Sequence, residues 1–445
     1  MITLIYNALI ISDGESFTGS VLIEGDYIKK IYRDVIPPEI MNNAVVVDAG
    51  GLWLLPGVID DQVHFREPGL THKGNIFSES RAAIAGGVTS FMEMPNTKPQ
   101  TTSIEALNEK LEIASQNAFA NYSFYLGATN DNLAELKRVD TKNICGVKVF
   151  MGSSTGNMLV DKKKSLEGIF AEIDMLIAVH CEKEEIIQQN INYYKKLLGD
   201  NIPVKYHPLI RTAEACYRSS AEAIELADKY GTRLHVLHLS TQKEACLFDV
   251  KPLKDKKVTG EVCVHHLWFS DEDYEKYGTL IKWNPAIKTK EDRNGLIQGL
   301  LSGKLDVIAT DHAPHLLEEK QGGCFQAASG GPLIQHSLQV MLELSKQGKI
   351  SKEDVVSKMC HAPATLFCIE KRGYIREGFF ADLVLVNPTK EYTVTKENIM
   401  YKCQWSPFEN YTFSTSVEKT FLNGQLAFDN GSIKEVPGKA LAFKR

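Results

Sequence analysis

Long apolar runs are missing from this sequence: nowhere do about 18 uncharged apolar residues follow one another, the length that a membrane-spanning helix needs. The sequence therefore predicts no such helix. The opening residues, Met1 to Tyr6, do not join a basic segment to a long apolar one, so they lack the pattern of a secretory leader. From these two observations we expect a cytoplasmic protein.

An excess of one charge is missing as well, since 50 Lys and Arg residues stand against 56 Asp and Glu residues, a formal net charge of -6. The basic residues form no single stripe, so nucleic acid is not expected as a partner. Closely spaced cysteine pairs are also missing. The nine cysteines lie mostly in apolar segments, which favours reduced, buried thiols over disulfides or a zinc site made of cysteines alone.

What the sequence does contain is the composition of a soluble globular protein, with 43% apolar and 24% charged residues. Its 445 residues allow one large domain and one small one. Residues 1–55 read as short strands joined by polar turns, with predicted strands at 2–11, 20–24 and 27–32. Residues 371–445 return to this pattern, so we expect them to complete the small β unit that residues 1–55 begin.

After Pro56 the pattern changes to short apolar segments that alternate with longer helical ones, which is typical of repeated βα units and a parallel sheet. Helices are predicted at 76–85, 104–114 and 213–230. Strands are predicted at 57–60, 90–94, 120–126, 146–151, 176–180, 233–239, 258–263 and 307–310. Eight strands are the number that an α/β protein of the TIM-type (β/α)8 class requires, so a barrel is predicted for residues 56–370.

Polar side chains follow the predicted strands where each strand ends, at the face where such barrels keep their active sites. They are His64, Lys148, His180, His238 and Asp311. Each alone has a structural explanation, because a lone histidine is usually a core residue, Lys148 can reach solvent from a strand end, and Asp311 can cap a helix. Together, in this order, they predict a metal-dependent site.

The stretch at residues 60–69 reads Asp-Asp-Gln-Val-His-Phe-Arg-Glu-Pro-Gly. It resembles the first metal motif of the cyclic amidohydrolases, Asp-x-His-x-His at the end of the first barrel strand, and Phe-Arg-Glu-Pro-Gly narrows the resemblance to the dihydroorotases. The Gly-x-x-Ala-Asp-Leu-Val pattern at residues 378–384 is similar too. The resemblance implies a barrel accompanied by a small β-sandwich domain that both chain ends build.

The resemblance also implies the roles of the polar residues. Lys148 is expected to be N-carboxylated and to bridge two Zn²⁺ ions, with His180 and His238 on the second. The nearby His235 is expected to point to the other face of its strand as a structural residue. Asp311 is expected to bind metal and to carry the proton that the reaction moves. Gln62 departs from the family pattern, because it stands where the first histidine is expected. A neutral amide is a poorer zinc ligand than imidazole, so the metal position that uses His64 is expected to be weakened.

Four further residues match family positions that bind substrate: Arg66, Asn96, Asn284 and His315. The planar Arg66 guanidinium suits a carboxylate held by two hydrogen bonds. Both asparagines also stand beside a proline, where a turn-forming role is the simpler reading. The implied reaction is the reversible, zinc-dependent cyclisation of N-carbamoyl-L-aspartate to L-dihydroorotate in pyrimidine biosynthesis. A small-molecule substrate and a homodimer are expected on the same grounds.

Gln62 leaves three outcomes open: two metals of which one is weak, one metal held by Lys148, His180 and His238, or a catalytically dead scaffold that serves a partner such as a transcarbamoylase. The presence of Arg66 and Asp311 favours an active enzyme over a scaffold. A related cyclic amidohydrolase that acts on hydantoin or allantoin is a further alternative, and activity on a ring without a carboxylate would reveal it.

Overall fold

The computed structural model describes residues 2–152 and 158–445, and its strands and helices alternate over most of that length. The strands are β1 Ile2–Ser12, β2 Glu15–Glu24, β3 Tyr27–Tyr32, β4 Val45–Asp48, β5 Trp53–Pro56, β6 Val58–Val63, β7 Val88–Glu93, β8 Asn121–Gly127, β9 Gly146–Phe150, β10 Ile177–His180, β11 Leu234–Val236, β12 Val258–Cys263, β13 Val307–Ala309, β14 Leu383–Asn387, β15 Tyr392–Thr393, β16 Thr412–Phe413, β17 Ser416–Leu422, β18 Gln425–Asp429 and β19 Ser432–Ile433. The α-helices are α1 Pro38–Asn43, α2 Ile76–Ala85, α3 Ile104–Asn117, α4 Leu133–Leu136, α5 Lys163–Glu172, α6 Glu184–Leu198, α7 His207–Ile210, α8 Ala213–Tyr230, α9 Gln242–Ala245, α10 Val264–Trp268, α11 Tyr274–Tyr277, α12 Lys290–Leu301, α13 Ser337–Lys346, α14 Lys352–Val356 and α15 Ala362–Leu366.

Strands β6 to β13 form one eight-stranded parallel sheet in chain order. The sheet curls until its ends meet, because Val63 bridges His312 in parallel and the His64 amide donates to the His312 carbonyl at 2.7 Å. Nearly every strand residue is buried, as a parallel sheet covered on both faces requires. The predicted (β/α)8 barrel is therefore confirmed.

Side-chain caps explain where the helices begin. The Asn75 side chain accepts from the Ser78 amide at the start of α2, and the Thr212 side chain accepts from the Ala215 amide at the start of α8. The predicted bounds of both helices are confirmed. The predicted end of α3 at Ala114 was three residues too early, since the helix continues to Asn117 with the polar Ser115 and Asn117 side chains donating to carbonyls in the preceding turn.

Both chain ends contribute to a second sheet of nine strands. Its main path runs β19-β18-β17-β14-β5-β1-β2-β3, and β4 pairs with β1. Strand β14 lies antiparallel to β5, which joins the C-terminal strands to the N-terminal ones. A separate apolar core fills this unit, including Ile10, Leu54 and Phe421. The expectation that the two ends build one β unit is confirmed, while the exact division into residues 1–55, 56–370 and 371–445 stays a proposal.

Among the residues that are described, none of the helices combines the length and the apolar character needed to cross a bilayer.

Candidate active site

All ten residues singled out in the sequence line a single cavity of about 350 Å³ at the C-terminal ends of the barrel strands. Phe150, Trp283, Ala313 and residues 328–330 complete its wall. The ten residues are Gln62, His64, Arg66, Asn96, Lys148, His180, His238, Asn284, Asp311 and His315. Residues that are up to 253 positions apart in the sequence thus meet at one site, although their individual roles stay predictions.

Three of these residues have a left-handed backbone, which is rare outside glycine. The φ angles are +72° at Arg66, +38° at His238 and +48° at Asp311. Such conformations cost free energy and persist only where the surrounding structure enforces them, and they concentrate at functional sites. At His238 the turn ends the strand pattern early, since β11 stops at Val236 rather than at the predicted residue 239.

The His64 ring lies between an amide and a carboxylate. Its Nδ1 is 2.7 Å from Asn96 Oδ1 and its Nε2 is 3.1 Å from Asp311 Oδ1. Burial lowers the pKa of His64, so the ring is neutral at pH 7. Asn96 Oδ1 accepts a hydrogen bond from Nδ1–H, so the Nε2 lone pair points at the Asp311 carboxylate. A cation between Nε2 and this carboxylate would satisfy both. Gln62 Nε2, 3.3 Å from Asp311 Oδ1, donates to the same oxygen.

His180 and His238 form the second half of the site. His180 Nε2 lies 3.0 Å from Glu182 Oε2, and His180 Nδ1 lies 2.9 Å from His238 Nε2. Burial opposes ionisation of Glu182, but Arg211 and His180 outweigh it and hold its pKa at about 2. The ionised Glu182 fixes the proton on His180 Nε2, which leaves the Nδ1 lone pair facing His238. Two imidazole nitrogens that converge in this way fit a metal ion.

Lys148 lies on β9 with its side chain inside the barrel, and the residue is 1% exposed. Within residues 2–152 and 158–445 its ammonium has no hydrogen-bond or ion-pair partner, and it lies 4.7 Å from the centre of the Phe150 ring. Burial lowers the pKa of Lys148 to about 8, although the nearby Asp311 carboxylate opposes the shift. A substantial fraction of the amine is therefore neutral at pH 7 to 8, which is the form that reacts with carbon dioxide.

Arg66 also lines the cavity. Its Nε donates to the Pro314 carbonyl at 3.0 Å, and its Nη2 lies 3.1 Å from His315 Nε2. His315 Nδ1 accepts from the Lys73 ammonium at 3.0 Å, so Nε2 carries the proton, which it donates to the Ser329 carbonyl. Arg66 Nη2 and His315 Nε2 are then two neighbouring donors, and a carboxylate is the acceptor that satisfies both. Asn284 Oδ1 is buried and has no hydrogen-bond partner in the described part of the chain.

Two features of the site were not predicted from the sequence. Glu182, two residues after His180, orients that histidine, and its place in a His-x-Glu pattern was the available signal. The second is His235, which we expected to point to the other face of its strand. That expectation was wrong, because His235 lies inside the barrel with its Nε2 3.1 Å from Asp61 Oδ2. A buried glutamate in the apolar strand β12, Glu261, lies beside them.

Dihydroorotases from other organisms are similar to this chain over most of its length. The dihydroorotase of Carboxydothermus hydrogenoformans is 33% identical over 435 residues, which cover 95% of this chain and 96% of the relative. The dihydroorotase of Methanosarcina mazei is 31% identical over 433 residues, with 94% and 92% covered. These relatives match this chain over nearly their whole length.

Solved structures show the same fold. The L-hydantoinase (dihydropyrimidinase) from Arthrobacter aurescens superposes with a TM-score of 0.92 at 26% identity, covering 99% of this chain and 100% of that one. The dihydropyrimidinase from Brevibacillus agri gives a TM-score of 0.89 at 26% identity, with both chains covered completely. The Amidohydrolase family model matches residues 53–427. This chain therefore belongs to the amidohydrolase family.

Proposed function

We propose that this protein is a zinc-dependent dihydroorotase, which interconverts N-carbamoyl-L-aspartate and L-dihydroorotate in pyrimidine biosynthesis. The observation that carries the proposal is a pair of hydrogen-bond donors in the cavity, Arg66 Nη2 and His315 Nε2, which lie 3.1 Å apart. Such a pair calls for an anionic group on the substrate. Dihydroorotate has a ring carboxylate, and the relatives from Carboxydothermus hydrogenoformans and Methanosarcina mazei are dihydroorotases.

The donor set at the cavity floor fits a metal ion. Converging imidazoles, an aspartate and a lysine that is neutral often enough to be carboxylated supply the nitrogen and oxygen ligands that zinc prefers. The residues that would hold one or two Zn²⁺ ions are His64, Lys148, His180, His238 and Asp311, with Gln62 as a neutral sixth. Bound zinc lowers the pKa of a water ligand to about 7 and polarises a carbonyl group.

The other side chains around this metal position bind the substrate and transfer the proton. Arg66, Asn96 and His315 bind the substrate carboxylate, and Asn284 Oδ1, which lacks a partner in the described residues, accepts a hydrogen bond from the ring amide. Asp311 takes the proton of the attacking water and delivers it to the leaving ring nitrogen, as a general base and then a general acid. His64 and Gln62 contact one oxygen of Asp311 and so fix the orientation of its carboxylate.

Hydantoin or dihydropyrimidine hydrolysis is the second candidate, because the two structures described above come from enzymes with those names. Their rings lack the carboxylate that dihydroorotate carries. Arg66 is only 8% exposed, and a buried guanidinium that has no anion to bind costs free energy. This cost favours a substrate with a carboxylate and therefore the dihydroorotase proposal. A catalytically dead scaffold is the third candidate, and it would have no need of the neutral Lys148 amine.

The substitution Arg66→Ala separates these candidates when turnover is measured on L-dihydroorotate and on dihydrouracil. Removal of one partner of a buried charge pair costs about 2 to 5 kcal/mol, so kcat/KM for dihydroorotate should fall by at least about 30-fold. Activity on dihydrouracil should not fall. Arg218→Ala is the matched control, because Arg218 is exposed and pairs with Glu214 on the same helix. Equal losses on both rings would contradict the substrate assignment, and zinc-loaded protein without turnover on either ring would favour the scaffold.

The same proposal includes that the protein is a homodimer and that it is located in the cytoplasm. Sedimentation of the purified protein at micromolar concentration tests the first, with a mass near twice the 49.6 kDa of one chain as the expected result. A mass that stays at one chain across the concentration series would contradict it.

A further inference from the structure

Beneath the cavity, three ionisable side chains meet in the interior of the barrel. They are Asp61 on β6, His235 on β11 and Glu261 on β12, and one ligand atom from each lies within 4.8 Å of the other two. Both carboxylates and the imidazole are fully buried. None of the three lines the cavity above, although Glu261 Oε1 accepts from the His238 backbone amide at 2.9 Å. The cluster is therefore a separate layer under the floor of the site.

The hydrogen bonds of His235 determine which nitrogen faces the carboxylates. Thr259 Oγ1 donates to the Leu234 carbonyl at 3.1 Å, so its lone pair accepts from His235 Nδ1 at 2.8 Å. Neutral His235 then has its proton on Nδ1 and a lone pair on Nε2. That Nε2 atom lies 3.1 Å from Asp61 Oδ2 and 3.9 Å from Glu261 Oε2. Three electron-pair donors consequently point at one another.

Two buried oxygens in this cluster have no hydrogen-bond partner among the described residues: Asp61 Oδ1 and Glu261 Oε2. A buried carboxylate oxygen without a partner is costly. A proton shared by His235 Nε2 and Asp61 Oδ2 would make one hydrogen bond, but Glu261 Oε2 would still have no partner among the described residues. A divalent cation at the centre contacts His235 Nε2, Asp61 Oδ2 and Glu261 Oε2 at once and neutralises the two carboxylate charges.

The distances fit a small transition-metal ion. Zinc takes nitrogen and carboxylate oxygen ligands at about 2.0 to 2.2 Å in a tetrahedron, which places the ligand atoms roughly 3.3 Å from each other. The observed separations of 3.1 and 3.9 Å bracket that value. Magnesium suits this set less well, because it prefers an octahedron of oxygens. The hydroxyl of Thr259, which holds the imidazole from behind, is the supporting contact that metal-bound histidines usually have.

We propose that Asp61, His235 and Glu261 form a second, structural metal site that holds one Zn²⁺ ion inside the barrel, below the active-site cavity. The ion joins β6 to β11 and β12. These strands lie near the point where the barrel closes, between β6 and β13, so the ion stabilises that closure. Because every ligand is buried, the ion enters during folding and exchanges slowly. This inference does not depend on the proposed dihydroorotase activity.

The test removes the cavity ligands first. A background variant with His64→Ala, His180→Ala and His238→Ala lacks the three imidazoles that we assign to metal in the cavity. The remaining cavity imidazole among the described residues, His315, has its nitrogens engaged by Lys73 and the Ser329 carbonyl. Protein produced with zinc in the medium should still contain about one zinc per chain by elemental analysis. Adding Glu261→Gln should bring zinc close to zero, and X-ray absorption of the background variant should show nitrogen and oxygen ligands without sulfur.

The matched control is Glu244→Gln, which changes a buried glutamate that binds Ser220 and Thr241 and takes no part in the cluster. It should leave the zinc content unchanged. A background variant without zinc, or zinc that survives Glu261→Gln, would overturn the proposal. Should the background variant fail to fold, Glu261→Gln and Glu244→Gln in the otherwise unchanged chain give the same comparison, with one zinc per chain lost only in the first.

Discussion

At the scale of single residues, the Glu182 carboxylate decides how His180 can bind a metal. It lies 3.0 Å from His180 Nε2 and is itself held by Arg211 at 2.5 Å. With the pKa of Glu182 held at about 2, the carboxylate is ionised at neutral pH. We therefore predict that Glu182 is a positioning residue, which acts through His180.

We predict that Glu182→Gln lowers zinc affinity by about 10- to 100-fold, the usual effect of removing a carboxylate behind a metal-bound histidine. The amide keeps the shape but can present its NH₂ group to His180 Nε2, which allows the ring to change tautomer. Competition with a zinc chelator measures the affinity directly, without an activity assay. Glu185→Gln, on the exposed face of the first turn of α6, is the control and should behave as the unchanged protein. Unchanged affinity in Glu182→Gln would refute the positioning role.

Residue type and position at a strand end were enough to identify five of the ten cavity residues from the sequence, namely His64, Lys148, His180, His238 and Asp311. The other five were identified through the family resemblance. The mutual contacts of the ten were not predictable, because pairs such as His64 with Asn96 depend on where separate loops meet. The orientation of His235 shows the same limit. Strict alternation along a strand puts residues 235 and 238 on opposite faces, but β11 ends at Val236 and the left-handed turn at His238 breaks the alternation. Both side chains consequently point inward.

At the scale of secondary-structure elements, the eight barrel strands were predictable because each is a short apolar segment between helical ones. The pairing of β14 with β5 was not, since these strands are more than 300 residues apart and no local signal fixes their register. The Gly86-Gly87 pair at the end of α2 links the two sheets. Gly87 has φ +82°, and a Cβ atom there would lie 2.9 Å from Val384 Cγ1 on β14.

We predict that Gly87→Ala destabilises the protein more than the equivalent change at Gly348. Both glycines have a left-handed backbone, at φ +82° and +73°, so both substitutions cost about 1 kcal/mol in backbone strain. A Cβ at Gly348 has no described residue within 4 Å, whereas at Gly87 it overpacks the contact with Val384, which costs about 1 to 3 kcal/mol more. Urea titration of both variants measures the difference. Equal losses would show that Val384 moves aside without cost.

At the scale of the whole molecule, buried histidines couple folding to pH. Burial lowers the pKa of His336 to about 3, and the same holds for His266, which also lies near Lys288. Each ring is neutral in the folded protein, while in the unfolded chain it takes up a proton below pH 6.5. The unfolded state therefore binds more protons between about pH 6.5 and 3, so the free energy of unfolding falls as the pH is lowered through this range.

His336→Asn isolates one of these contributions. The Asn oxygen can replace Nδ1 as the acceptor for the Tyr401 and Ser406 hydroxyls, each 3.3 Å away. In the unchanged protein, protonation of this histidine in the unfolded chain costs about 2 kcal/mol of stability between pH 7.5 and pH 5.0. We expect His336→Asn to lower the free energy of unfolding at pH 7.5, because packing is lost. Between pH 7.5 and pH 5.0, however, the variant should lose about 2 kcal/mol less of its free energy of unfolding than the unchanged protein loses. Urea titrations at both pH values measure this difference, with His72→Asn, an exposed site, as the control that should show no change. If His336→Asn and the unchanged protein lost the same free energy of unfolding on acidification, His336 would have to be protonated in the folded protein as well. The loss of stability in acid would then have to come from other residues.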